Sequence, residues 1–97
     1  MFVGVARVDL ELTDIGSLKD KRSIVKPIVQ KVMNKFNVHA AEVDDNDLYD
    51  SAVIGLTMCA NEQKHVNVVL SKAVDWIENH QFDAHVADVE MEFLQVL

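Results

Sequence analysis

Most of the cationic side chains of this chain lie in one segment, and a group of like charges can bind ions of the opposite sign. The chain has 97 residues, with nine Lys or Arg, 16 Asp or Glu and a formal net charge of −7. Six of the nine cations, and only one acidic residue, lie within residues 19–35. The six are Lys19, Lys21, Arg22, Lys26, Lys31 and Lys35. A local field of one sign recruits opposite charge even when the net charge does not, so this segment is the first candidate for a binding surface.

The candidate anion-binding or RNA-binding residues lie near the start of this segment. Serine caps helices by accepting a hydrogen bond from a backbone amide that has no partner within the helix. A helix N-terminus already favours anions, and nearby cations strengthen that preference. A phosphate, for example of RNA, would fit a site formed by Ser17, Lys19, Lys21, Arg22 and Lys26. The alternative is that Ser17 is only a cap, and that the lysines are solvated or paired with acidic residues of the chain.

A cluster of acidic residues is a weaker candidate for chemistry. Hard divalent cations prefer several oxygen ligands, and five carboxylates lie close together in sequence. They are Glu42, Asp44, Asp45, Asp47 and Asp50. Their spacing lacks the glycine and the terminal glutamate of a calcium-binding loop. A solvated loop is therefore the favoured interpretation, and no metal ligand and no cofactor is predicted.

No set of residues dictates a catalytic step. The chain has no phosphate-cradling glycine loop, no serine elbow and no zinc motif. Its four histidines are spread over four predicted elements without a pair at ligand spacing, and Cys59 has no base near it in sequence. We therefore predict no catalytic residue and favour a non-enzymatic protein.

Size and composition indicate a single domain over residues 1–97. Apolar residues make up 49% of the chain and charged residues 26%, which are average values for globular proteins. No apolar run approaches the about 18 residues of a membrane-spanning helix, and no signal segment is recognisable. A lone cysteine fits a reducing compartment. We expect a cytoplasmic protein without a membrane partner.

The hydrophobic pattern predicts six elements in the order strand, helix, strand, strand, helix, strand. Alternation with a period of two predicts the first and last strands, and a nearly continuous apolar run predicts the third. The second is predicted as a short strand that follows the first helix. The second helix is expected to be capped by Asn61 and to end near Asn79, followed by a turn. The predicted strands cover residues 2–12, 38–43, 51–60 and 85–97, and the turn covers residues 81–84.

The first helix is expected to be amphipathic and to begin after Ser17. Its apolar positions recur at spacings of three, four and seven, which leaves the lysines facing water. Pro27 removes an amide donor and crowds the carbonyl of Ser23, so we expect a kink there or a separate first turn. Asn37 suits a left-handed exit after Phe36.

This order of elements predicts an α+β, ferredoxin-like βαββαβ sandwich. Two strand–helix–strand halves with right-handed crossovers form a four-stranded antiparallel sheet with both helices on one face. The open face lacks the aromatic residues on which RNA bases stack, and its aliphatic patch suits either self-association or ordinary exposed valines. The residues predicted on that face are Val3, Val5, Asp9, Glu11, Val53, Thr57, Asp88, Glu90 and Glu92.

Three runs of sequence resemble the YlxP-like family of small bacterial proteins. They are Phe-Val-Gly-Val-Ala-Arg-Val-Asp-Leu at 2–10, Ser-Leu-Lys-Asp-Lys-Arg at 17–22 and Lys-Phe-Asn-Val-His-Ala-Ala-Glu-Val-Asp at 35–44, followed by Asp47-Leu. The resemblance covers essentially the whole chain. It implies a ferredoxin-like fold and a cytoplasmic protein with no assigned activity, and it supplies no catalytic residue. Members are often encoded beside translation-initiation and ribosome-maturation factors, which implies an association with RNA or the ribosome.

The sequence thus favours a cytoplasmic binding module that contacts RNA or a ribosome-associated partner through its basic first helix. One alternative is a self-associating structural or regulatory module, for example a homodimer, that binds no nucleic acid. A less favoured alternative is a small enzyme that acts on a phosphorylated or acylated metabolite.

Overall fold

The six elements of the chain form one sheet covered by two helices. A computed structural model describes residues 1–80 and 83–97. The elements are β1 (Phe2–Leu12), α1 (Leu18–Lys35), β2 (His39–Asp44), β3 (Ser51–Ala60), α2 (Gln63–His80) and β4 (Ala84–Gln95). The strands pair antiparallel in the order β2-β3-β1-β4. This arrangement confirms the predicted ferredoxin-like α+β fold. The predicted turn over residues 81–84 lies partly outside the described residues.

The two central strands, β1 and β3, supply the floor of the core. They pair over ten positions, with Val8 opposite Ile54, and alternate residues of each strand are buried. Buried residues of α1 and α2 belong to the same apolar cluster as these strand residues. Both helices therefore pack on one face of the sheet, and the opposite face is left open.

The first helix runs through Pro27 as one continuous element, so the expectation of a separate first turn is wrong. Ser23 and Pro27 are both exposed, and water can reach the carbonyl that the proline leaves without an amide partner. The helix ends at Phe36, whose backbone is extended at φ −125°. Asn37 does not adopt the left-handed conformation predicted for it. Instead the amide of Val38 donates to the carbonyl of Phe36 over 2.9 Å.

The second helix begins slightly later than predicted. The amide of Val66 donates to the carbonyl of Glu62 over 3.3 Å, so Glu62 is at the start of the helix and Asn61 precedes it. The helix lies close to β1 at Gly4. A Cβ atom at Gly4 would overlap the side chain of Val66 and lie 2.6 Å from Leu70 Cδ1. Within the described part of the chain, no helix is long and apolar enough to cross a membrane.

Candidate anion-binding site

The N-terminus of α1 is capped by side chains of the chain itself. Ser17 has an extended backbone, and its Oγ accepts a hydrogen bond from the amide of Asp20 over 3.1 Å. The Oδ2 atom of Asp20 accepts from the amide of Gly16 over 3.3 Å. Ser17 is therefore the helix cap, as one of the two interpretations of the sequence expected. The carboxylate of Asp20 lies where an external anion would meet the helix end, so the helix dipole already interacts with an acid of the chain.

Lys21 is buried and cannot meet an external anion. Its Nζ atom donates to the carbonyl oxygens of Asp45 and Leu48, both over 2.6 Å, and forms an ion pair with Glu42 Oε2 at 2.8 Å. The ammonium thus makes two hydrogen bonds to backbone carbonyls, and the Glu42 carboxylate compensates its charge without a hydrogen bond of good geometry. The structure therefore corrects the sequence-based site: Lys21 fastens the segment between β2 and β3 to the first turn of α1.

The position of Lys21 in the helical repeat indicates that this residue is buried. Lys21 precedes Val25 by four residues, Ile28 by seven and Val32 by eleven, and all three valine and isoleucine side chains are buried. Residues at these spacings lie on one side of a helix. Lys21 therefore occupies a position of the amphipathic pattern that is otherwise filled by apolar residues. Because lysine is usually exposed, the residue type alone predicted the opposite.

Three other cations form an exposed row, which we call the cationic stripe: Lys19, Arg22 and Lys26. Spacings of three and four residues place them on one side of α1, with about 10 Å of helix rise from the first to the last. The salt bridges within residues 1–80 and 83–97 are Arg7–Asp9, Arg7–Asp44 and Lys21–Glu42. The three side chains of the stripe are thus not paired with any acid of the described chain.

Lys31 and Lys35 are exposed as well but do not continue the stripe. Each residue of a helix turns by about 100°, which carries these two side chains to the other flank of the exposed surface of α1. The basic segment therefore divides into one buried lysine, three cations on the stripe and two cations elsewhere.

The acidic segment between β2 and β3 is an ordered turn fastened to α1. Asp45 has a positive φ of 58°, which aspartate tolerates better than most residues, and its Oδ2 accepts from Ser51 Oγ over 3.2 Å. The amide of Leu48 donates to the carbonyl of Asp45 over 3.0 Å. No group of three His, Cys, Asp or Glu side chains among the described residues is arranged to hold a metal ion.

Arg7, on the open face of the sheet, is neutralised by two carboxylates. Its Nε lies 3.1 Å from Asp9 Oδ1 and its second guanidinium nitrogen 3.6 Å from Asp44 Oδ2. The hydrogen bond and charge of Asp9, with smaller contributions from Asp44 and Glu90, raise the pKa of Arg7. Asp9 and Asp44 flank Val53 on the neighbouring strands, so the guanidinium spans this position. Val53, predicted on the open face, is buried there.

A family model covers most of the chain. The family described as "Protein of unknown function (DUF503)" matches residues 3–91. The chain belongs to this family. A curated relative, "Uncharacterized protein YlxP" of Bacillus subtilis (strain 168), is 29% identical over 77 residues, which are 79% of this chain and 84% of the relative. These matches confirm the resemblance to the YlxP-like family.

The side chains of the cationic stripe of this DUF503 protein are of the types that bind anions. Lysine offers a compact charge with three donors, and arginine offers a planar group that can bind a phosphate through two parallel hydrogen bonds. The nearest hydroxyl in sequence, that of Ser23, already donates to the carbonyl of Asp20, and the hydroxyl of Ser17 accepts from the helix. Cys59 is exposed on β3, in the sheet and not on the helices. The geometry therefore favours binding over catalysis.

Proposed function

We propose that this protein is a cytoplasmic, non-enzymatic binding module that contacts RNA, alone or in a ribosome-associated component, through the cationic stripe. The observation that supports the proposal is the exposure of Lys19, Arg22 and Lys26 on one side of α1, without salt bridges among the described residues. Ser17 contributes by starting the helix at this position. Lys21 takes no part, because its ammonium is buried against Glu42.

The strength of the interaction follows from the number of charges. Each phosphate of a single strand that is neutralised contributes a slope of about −0.7 in log affinity against log salt. Three contacts predict a slope of about −2. The net charge of −7 and the acidic turn beside α1 oppose indiscriminate binding of nucleic acid. A partner must therefore present phosphates to the stripe without approaching the acidic surfaces, which provides selectivity by repulsion.

A charge-reversal experiment tests this function. The variant K19E/R22E/K26E removes the stripe, and the matched control K31E/K64E/K72E makes the same change in net charge at exposed lysines elsewhere. Binding is measured with a fluorescent single-stranded RNA between about 50 and 200 mM salt, and by co-sedimentation with ribosomes. We expect the stripe variant to lose at least about tenfold in affinity, with a slope near zero, and the control to lose less than about threefold.

Two results would reject the proposal. Equal losses in the two triple variants would show that only the overall charge matters. A wild-type protein that binds neither RNA nor ribosomes at the lowest salt would exclude the stripe as a nucleic-acid site. Circular dichroism and thermal unfolding of each variant establish that a loss of binding does not reflect a loss of fold.

Self-association of the open sheet face, the alternative from the sequence, stays a prediction. That face carries the exposed acids Asp88, Glu90 and Glu92 on β4. Two copies placed face to face would bring many of these like charges together, which is unfavourable. We therefore favour the binding module over the homodimer.

A further inference from the structure

The open face of the sheet contains an apolar groove of about 400 Å³, which we call the sheet-face groove. Its floor lies where neighbouring strands carry small residues, at Ala41 of β2 and Gly55 of β3. Val5 and Val43 form its walls, and both are exposed, at 37% and 56%. Exposed apolar groups lining a concave surface of this size are typical of a binding site, because a ligand that covers them releases water.

A strand irregularity and one glycine create the groove. The pairing of β2 with β3 shifts register between Glu42 and Asp44, which allows Val43 and Asp44 to point to the same side of the sheet. Val43 then leans over Gly55: a Cβ atom on Gly55 would lie 2.8 Å from Val43 Cγ1. Because Gly55 has no side chain, it leaves the groove open at this position and allows the side chain of Val43 to lie close to the sheet.

The rim of the groove is acidic. Glu90 and Glu92 of β4 line it, and neither takes part in a salt bridge within the described ranges. Arg7, the cross-strand partner of Glu90, is already held by Asp9 and Asp44. The Arg7 guanidinium lines the same groove and also interacts with the charge of Glu90. The carboxylates of Asp9, Asp44, Glu90 and Glu92 outnumber this cation, so the field of this face favours a positively charged ligand.

We propose that the sheet-face groove binds a cationic peptide segment of a partner protein, in which an apolar side chain enters the groove and a lysine or arginine contacts Glu90 and Glu92. The apolar walls favour the apolar side chain of the peptide, and the rim carboxylates favour its lysine or arginine. This proposal concerns the face of the sheet opposite the helices, so it goes beyond the RNA-binding function and does not depend on it.

Distances across the sheet specify the spacing of the two peptide residues. Neighbouring strands lie about 4.8 Å apart, so β4 is two to three strand spacings, about 10–14 Å, from the groove floor on β3 and β2. In an extended peptide, residues two apart point to the same side and are about 7 Å apart. When the peptide crosses the strands, the backbone of a basic residue two positions from the apolar residue covers part of this distance. The long side chain of the lysine or arginine covers the rest and brings its charge to β4.

A second copy of the chain fits the groove less well. Its own sheet face is acidic and would repel this one. Its cationic stripe carries the right charge, but the exposed helix residues beside the stripe, Ser23, Pro27 and Gln30, offer no large apolar side chain to fill the groove. The exposed face of α1 thus supplies cations without an apolar anchor, and we assign the groove to a segment of a different protein.

Three synthetic peptides test the proposal: Lys-Ser-Leu-Ser-Lys, the same peptide with Ser in place of Leu, and the same peptide with Glu in place of both Lys. Binding is followed by amide NMR shifts and calorimetry. We expect the first peptide to bind with shifts concentrated at Val5, Ala41, Val43, Gly55 and Glu92. Loss of the leucine or reversal of the charges is expected to weaken binding at least about tenfold.

Protein variants locate the site. V43K places a cation on the exposed groove wall, and E90Q/E92Q removes the rim charge. Both variants are expected to bind Lys-Ser-Leu-Ser-Lys more weakly, V43K by at least about tenfold and E90Q/E92Q by about fivefold. The control E62Q/E78Q changes two exposed glutamates, one directly before α2 and one within it, and should leave the affinity within about twofold. NMR spectra of each variant show whether the fold is kept, and E90Q/E92Q, which changes only exposed side chains, tests the site if V43K fails to fold.

Four results would overturn the proposal. The first is that the peptide with Glu in place of Lys binds as tightly as Lys-Ser-Leu-Ser-Lys, and the second is that Lys-Ser-Leu-Ser-Lys does not bind at all. The third is that E90Q/E92Q and E62Q/E78Q lose the same affinity for Lys-Ser-Leu-Ser-Lys. The fourth is that the amide shifts caused by this peptide map to the helices. Concentration-dependent dimerisation that shifts the same groove amides would assign the face to a second copy instead. Binding of hexylamine as tightly as the peptide would assign it to small amines and would equally reject a peptide site.

Discussion

Lys19 and Lys21 lie two residues apart on α1 and have opposite surroundings. Two residues correspond to about 200° of helix rotation, so the side chains leave the helix on opposite sides. Lys19 is exposed without a salt bridge among the described residues, whereas Lys21 is held by Glu42 and by the carbonyls of Asp45 and Leu48. The same residue type is therefore free to meet a partner in one case and fixed within the fold in the other.

The difference between these two lysines can be measured as stability. The change Lys21→Met keeps the aliphatic stem but leaves the Glu42 carboxylate and two backbone carbonyls without their cation, so we expect a loss of about 3 kcal/mol in the free energy of unfolding. The control Lys19→Met should change it by less than about 0.5 kcal/mol. Urea unfolding followed by circular dichroism gives both values. Similar effects of the two changes would contradict the structural role of Lys21.

Among the elements, those defined by local patterns were the most predictable. β1 and β3 have the predicted bounds, Phe2–Leu12 and Ser51–Ala60, because alternation and apolar runs are properties of adjacent residues. The partners of Lys21 are 21, 24 and 27 residues away in sequence, and no local pattern specifies such contacts. The sheet-face groove likewise depends on which residues of β1, β2, β3 and β4 become neighbours. The sequence therefore predicted the cationic stripe as part of a basic segment, but not which lysines reach water or where the open face is concave.

The contact between α2 and β1 depends on the absence of a side chain at Gly4. A Cβ atom there would overlap Val66 and approach Leu70, both fully buried, so Gly4→Ala must push α2 away from the sheet. We expect a loss of about 1–3 kcal/mol in the free energy of unfolding, measured by urea denaturation. Gly16→Ala is the control: its Cβ would meet its nearest neighbour, Asp20 Oδ2, at 3.9 Å, and the stability should stay the same or rise slightly. A neutral Gly4→Ala would mean that α2 does not lie this close to β1.

At the scale of the whole molecule, charge is sorted between two opposite surfaces. The cationic stripe lies on α1, on one side of the sheet, and the rim carboxylates Glu90 and Glu92 lie on the other side. A helix layer is about 10 Å thick, and the Debye length at physiological salt is about 8 Å. Screening therefore separates the fields of the two surfaces, and each surface attracts partners of the opposite charge.

This sorting predicts that the two proposed sites act independently, which a crossed set of variants can measure. E90Q/E92Q should weaken the Lys-Ser-Leu-Ser-Lys peptide about fivefold and change RNA affinity by less than about twofold at 150 mM salt. K19E/R22E/K26E should weaken RNA binding and leave the affinity for the peptide nearly unchanged. Because the second variant changes the net charge strongly, its effect on the peptide is compared with that of K31E/K64E/K72E, which changes it equally. If a variant of one face altered both ligands to the same degree, a single diffuse field would explain both interactions, and neither face would be a distinct site.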